Sequence, residues 1–193
     1  MKSVLISIKP KDCKLIADGK MTIKVLKSRP KIETPFKVYI YCTKHKPYLY
    51  RVDDDDNFEL TNALRSEVDV YVKDYNKQNG KVIGEFICDK VEKLEEHIEE
   101  GGIYYTLNSD FNEAAQLDNW QLHDYGKGKD IFGWHISDLK IYDKPKELNQ
   151  FSIPCKVSCE NCKNPLYFQS LCKEKGKKIL THPPHSWCYI SED

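Results

Sequence analysis

The densest set of metal-binding side chains lies toward the C-terminus, where Cys155, Cys159, Cys162 and Cys172 follow the spacing C-x3-C-x2-C-x9-C. Thiolates are the usual ligands of a tetrahedral structural zinc, and Cys159 with Cys162 forms the tight chelating half of such a site. Cys188, His182 or His185 could take the place of Cys155 or Cys172. The competing reading is a set of free thiols in a surface loop, because the second half of the pattern lacks a tight CxxC of its own. A redox CxxC needs a helix N-terminus to stabilise its thiolate, and no helical pattern begins there. The expectation is one zinc, structural in role.

A second group carries charge and aromatic surface. Lys20, Lys24, Lys27 and Arg29 form a basic edge at a spacing suited to phosphate oxygens. Single surface lysines usually serve solubility, so the weight rests on the cluster. Glu85 follows Gly84 in an otherwise apolar run; it reads either as an acid or base-edge acceptor in a cleft or as the partner of a lysine on the outer wall. Trp134 and His135 stand beside Gly133, whose missing side chain permits close approach. An indole there could stack on a base, although a tryptophan inside a strand is more often core. His135 alone fits a hydrogen-bonded structural residue as well as a ligand contact.

The elements that position these residues are short. Residues 3 to 9 form a β-branched, apolar run that predicts a buried strand, and Pro10 then opens a helix ended by Gly19. Residues 21 to 26 alternate Met21, Ile23 and Val25 with polar neighbours, the pattern of a half-buried strand. Phe36 to Cys42 predicts a third strand and Lys81 to Val91 a fourth, with Gly84 marking a bulge or close backbone approach. One helix is expected around Phe111 to Trp120. Phe132 to Tyr142 reads as a strand bent near Ser137, and Ser186 to Ile190 as a short final one.

Between these lies an acidic excursion at about 44–80, with aspartates at 53 to 56. Calcium loops space their oxygen ligands and include a turn glycine, so a solvated loop is the expectation here. The organisation is therefore a main domain over 1–150 that contains this excursion, and a cysteine-rich segment over 151–193 that returns a final strand at 186–190. Cys13, Cys42 and Cys88 sit in apolar surroundings and read as small core residues.

Hydrophobic residues make up 40% and charged residues 31% of the 193, an ordinary globular balance. No apolar stretch approaches the roughly 20 residues of a membrane span, and no export signal is visible. The expectation is a reduced cytoplasm. Formal net charge is zero, yet residues 1 to 50 carry twelve Lys/Arg against three Asp/Glu, while residues 51 to 130 carry nine against twenty. A basic N-terminal third can neutralise phosphate and release counterions, which makes nucleic acid a candidate partner. Attraction between the two oppositely charged stretches explains the same pattern without a ligand.

The order SVLISIKP, helix to Gly19, GKMTIKVLKSRP, PFKVYIYC, GKVIGEF, FGWHISDLKIYDKPKEL and PPHSWCYI resembles the ASCH family. The resemblance implies an α+β, PUA-like small β-barrel with flanking helices and a cleft suited to RNA or nucleotides, to which the cysteine spacing adds a zinc-binding excursion. The family signature G-x-K-x-x-E-x-R is kept at Gly19, but Met21, Lys24 and Leu26 replace its lysine, glutamate and arginine. Members that hydrolyse a modified cytidine resemble one another in a lysine, threonine and glutamate site. Here Met21 and Lys24 stand at the first two positions, and only Glu85 is retained. A thioether neither donates a proton nor acts as a base, so that route is expected to be lost. The leading expectation is an RNA- or nucleotide-binding module with Lys24, Glu85 and Trp134 lining the cleft. A hydrolase of the same fold, amidohydrolase or ribonuclease, is the alternative, and a protein-interaction adaptor the third reading.

Overall fold

The computed structural model describes residues 3–44, 49–52, 58–61, 80–99, 102–106, 108–155, 172–174 and 176–191. The aspartate run at 53 to 56 and the pair Cys159 and Cys162 lie outside them. The elements in chain order are β1 (Ser3–Ile8), α1 (Pro10–Ala17), β2 (Ile23–Leu26), β3 (Phe36–Cys42), β4 (Leu49–Val52), β5 (Phe58–Thr61), β6 (Val82–Cys88), β7 (Val91–Leu94), β8 (His97–Glu99) and β9 (Gly102–Tyr104). There follow α2 (Ser109–Ala115), α3 (Asn119–Gly126), β10 (Ile131–His135), β11 (Ser137–Lys146), β12 (Ser152–Pro154), β13 (Cys172–Glu174), β14 (Lys177–Ile179) and β15 (Trp187–Ile190). The fold class is α+β and dominated by strands.

A five-stranded sheet runs β11-β6-β3-β1-β15 and a three-stranded one β2-β10-β7. Two long ribbons join them: β6 continues into β7 and β10 into β11, so residues 82–94 pair with residues 131–146 across both sheets. The expected bend falls at Ile136, one residue before Ser137. β1 is parallel to β3 and antiparallel to β15. Its largely apolar sequence follows from burial on both faces: Val4, Ile6 and Ile8 enter the inner core, while Leu5 packs on the outer one. β15 is thus a strand of the main sheet, although it lies in the cysteine-rich segment.

The combined order is β2, the 131–146 ribbon, the 82–94 ribbon, β3, β1 and β15. Among the described residues no ladder joins β2 to β15, so the expected small β-barrel is not closed by hydrogen bonds and its two ends meet through side chains. Trp187 Nε1 donates to Ser28 Oγ at 3.0 Å, and the Lys31 N–H donates to the Tyr189 hydroxyl at 2.8 Å. The space enclosed holds Ile6, Val38, Ile40, Phe36, Phe86 and Trp134, all essentially inaccessible.

A second core lies behind β2 and β10, where Ile23, Val25 and Ile131 meet Phe111 and Leu122 from α2 and α3. The single helix expected near residues 111 to 120 is two. Gln116 ends α2 in the left-handed region at φ 54°, and Asp118 opens α3 in a capping box with Gln121. β2 also departs from its expected pattern. Regular alternation begins only at Ile23, so Met21 turns into the inner core with Leu26, away from Ile23 and Val25.

Two glycines are required by packing. A Cβ at Gly84 would meet the Lys140 carbonyl oxygen at 2.5 Å, and a register shift in β3–β6 falls beside it, as the sequence anticipates. At Gly133 the close neighbour is the Phe111 ring of α2, at 2.8 Å, and no ligand space lies there.

Among the described residues no helix is long and apolar enough to cross a membrane.

Candidate nucleic-acid interface

A cleft of about 810 Å³ opens between the free edge of β2 and the C-terminal end of β1. Its position follows from the unclosed strand order: among the described residues β2 has no strand neighbour on that side, so the start of α1, the exposed face of α3 and the loop before β15 form the remaining walls. Ser7 fixes that loop, its hydroxyl donating to the Pro184 carbonyl at 2.6 Å and its N–H to the Ser186 carbonyl at 2.8 Å. His185 is thereby held at the rim.

Lys9, Lys11, Lys24 and Lys27 line the cleft against Asp12 and Asp124, leaving it net positive. Lys24 is opposite Trp134 in the ladder and shares its face, and its Nζ meets Asp12 Oδ2 of α1 at 2.5 Å. Lys27 Nζ lies 4.9 Å from the centre of the Tyr125 ring, a cation–π contact. Burial pushes the Tyr125 hydroxyl above the usual phenol range, opposed by the Lys27 backbone, so Tyr125 stays neutral. Trp120, on α3 at the same cleft, is 76% exposed, an unusual state for an indole.

The structure divides the residues singled out from sequence. Lys24 and Lys27 are in the cleft. Lys20 is exposed outside it, and Arg29 turns to the carbonyls of Pro30 and Ile32 at 3.5 and 3.4 Å. Trp134 is wholly buried, edge-on to Phe36 at 5.3 Å, and offers no face for stacking. His135 sits on the β10–β7 side, 3.2 Å from Glu92 Oε1, away from the cleft. The neighbouring Lys90, then His135, holds the Glu92 carboxyl below its usual range.

Glu85 is corrected most. It is opposite Tyr39 in the β3–β6 ladder, while the adjacent pair Val38 and Phe86 fills the inner core. Alternation therefore sends Glu85 to the outer face. There it accepts a hydrogen bond from the Tyr142 hydroxyl at 2.5 Å and lies 3.7 Å from Lys37 Nζ. This is the outer-wall pairing, and it leaves Glu85 out of the cleft that holds Lys24. Burial, then Glu85, raises the Tyr142 phenol well above its usual value.

Trp120, Lys9 and Lys11 were not singled out from sequence. The signal available for Trp120 was its place on α3, opposite the apolar positions Leu122 and Gly126 that face inward. For the zinc pattern, Cys159 and Cys162 are outside the described residues, and among those described no cluster of His, Cys, Asp or Glu could hold a metal.

No family model matches the chain, and no curated protein matches it. Solved structures do. The crystal structure of ASCH from Zymomonas mobilis superposes with a TM-score of 0.54 at 17% identity, over 99% of this chain and 89% of that one. A serine-to-alanine mutant of the Zymomonas mobilis protein gives the same values, a TM-score of 0.54 and 17% identity. With the strand order, the parallel β1–β3 pair and the returning β15 already established, the likeness identifies the architecture: this chain has an ASCH-like fold.

Proposed function

We propose that the protein is a PUA-like binding module that takes single-stranded RNA or a nucleotide in the cleft beside β2. The observation that carries this reading is the exposed Trp120 on a cleft lined by Lys9, Lys11, Lys24 and Lys27. A base stacks on the indole while the ammonium groups meet phosphate oxygens. A volume of about 810 Å³ suits a nucleotide-sized ligand. Of the acid and amine that a hydrolase of this fold would combine, the acid Glu85 stands on the outer face and the amine is replaced by the buried thioether of Met21, so binding is favoured over turnover.

Trp120→Ala tests the reading, because an exposed side chain can be removed without opening the core. Aromatic–base stacking contributes about 1 to 3 kcal/mol per base, so the variant should bind single-stranded RNA roughly 5- to 150-fold more weakly at unchanged melting temperature. Equal affinity in the variant, or no binding by the parent protein, would remove the cleft from the account.

A further inference from the structure

Val25 lines the cleft although its side chain is packed into the second core with Ile23 and Leu122. What it presents to the cleft is backbone. Among the described residues β2 pairs on one side only, with β10, and Lys24 and Val25 lie opposite Trp134 and Gly133. Continuing that register places Thr22 opposite Ile136, whose N–H donates to the Thr22 carbonyl at 2.9 Å. Opposed residues of an antiparallel ladder alternate between exchanging both bonds and exchanging none. Lys24 and Leu26 therefore turn their backbone groups to β10, Thr22 gives β10 its carbonyl alone while its N–H donates to the Ala114 carbonyl at 2.9 Å, and Val25 turns its N–H and C=O to the unpaired edge. The alternation is seen on β10 as well, where the His135 N–H points the other way and donates to the Lys90 carbonyl at 3.0 Å.

Neither backbone group of Val25 has a hydrogen-bond partner among the described residues, and the residue is only 4% exposed. Nearly every buried backbone donor and acceptor in a native protein is satisfied by protein, water or ligand. The N–H and C=O of one extended residue point to the same edge as an adjacent donor and acceptor. Each of the four bases carries the complementary pair on its Watson–Crick edge: a ring N–H beside a carbonyl in uracil and guanine, a ring nitrogen beside an amino group in adenine and cytosine.

We propose that the Val25 backbone reads the Watson–Crick edge of one unpaired base, as an added strand would pair with β2, while Trp120 and Lys27 stand at the same cleft to receive its ring face and phosphate. This rests on the nucleotide-binding reading above and narrows it. The edge must be free, so the ligand is a single-stranded or mononucleotide base, and duplex RNA is refused because its partner strand occupies the same atoms. The pair selects for an unpaired base without choosing among the four, since all offer one donor beside one acceptor.

The test uses the full chain, the four ribonucleoside 5′-monophosphates, their counterparts methylated at the Watson–Crick ring nitrogen, and ribose 5-phosphate. Affinity is measured by calorimetry and the assigned Val25 amide followed by nuclear magnetic resonance. The expected result is a downfield shift of the Val25 amide with the unmodified nucleotides, none with ribose 5-phosphate, and about tenfold or weaker binding after methylation, the factor for one lost net hydrogen bond of about 1.4 kcal/mol. Nucleotide binding with an unmoved Val25 amide and no penalty for methylation would overturn the backbone readout and leave the cleft reading standing. Failure of every monophosphate to bind would overturn both.

Discussion

Replacing Lys9, Lys11, Lys24 and Lys27 together with glutamine should flatten the salt dependence of RNA binding. All four line the cleft, on three different segments, so each can meet a separate phosphate. On single strands each neutralised phosphate contributes about −0.7 to the slope of log K against log salt, giving about −2.8 for four contacts. Raising salt from about 50 to 200 mM should then weaken the parent protein roughly 50-fold, and the quadruple variant only slightly. Lys24 must exchange its Asp12 partner for phosphate, so its own contribution is the smallest expected. Fluorescence anisotropy with a labelled single-stranded RNA of about ten nucleotides measures the slope, and circular dichroism checks that the variant is folded. Lys20→Gln with Arg29→Gln is the control: both lie outside the cleft, and the slope should hold. The reasoning is refuted if the quadruple variant keeps the full slope, or if the control loses as much.

Three further outcomes are expected. Trp134→Ala removes a fully buried indole from the inner core and should cost about 3 to 5 kcal/mol in denaturant unfolding; a loss below 1 kcal/mol would contradict its core role. Because the Tyr142 phenol is raised in the folded state, its stabilising contribution is complete below the unfolded value near pH 10 and falls away as pH rises beyond it. Tyr142→Phe should therefore reduce the alkaline slope of stability above about pH 10, and an unchanged slope would show that burial beside Glu85 does not raise this phenol. We also propose one zinc held by Cys155, Cys159, Cys162 and Cys172, to be checked by metal analysis of protein purified without chelator; absence of stoichiometric zinc, with Cys159 and Cys162 freely alkylated in the native protein so purified, would exclude it.

Local pattern alone determined most of the elements and part of the site. The apolar run of β1, Pro10 at the start of α1, the bend between β10 and β11 and the close approach at Gly84 all follow from steric and solvation preferences of neighbouring residues. Lys24 and Lys27 were legible because their clustering is a property of the sequence. Glu85 and Trp134 were not, because alternation tells that two faces exist and says nothing of which is inner when both are apolar. Tertiary structure decided that: Val38 and Phe86 fill the inner core, which sends Glu85 outward, and the same enclosure buries Trp134. Tertiary structure alone also assembled the cleft, since Lys9, Lys24 and Trp120 are far apart in the chain and meet only because β2 keeps an unpaired edge beside α1 and α3. A free strand edge depends on which ladder is left unmade, and that is a property of the whole strand order that no local pattern carries.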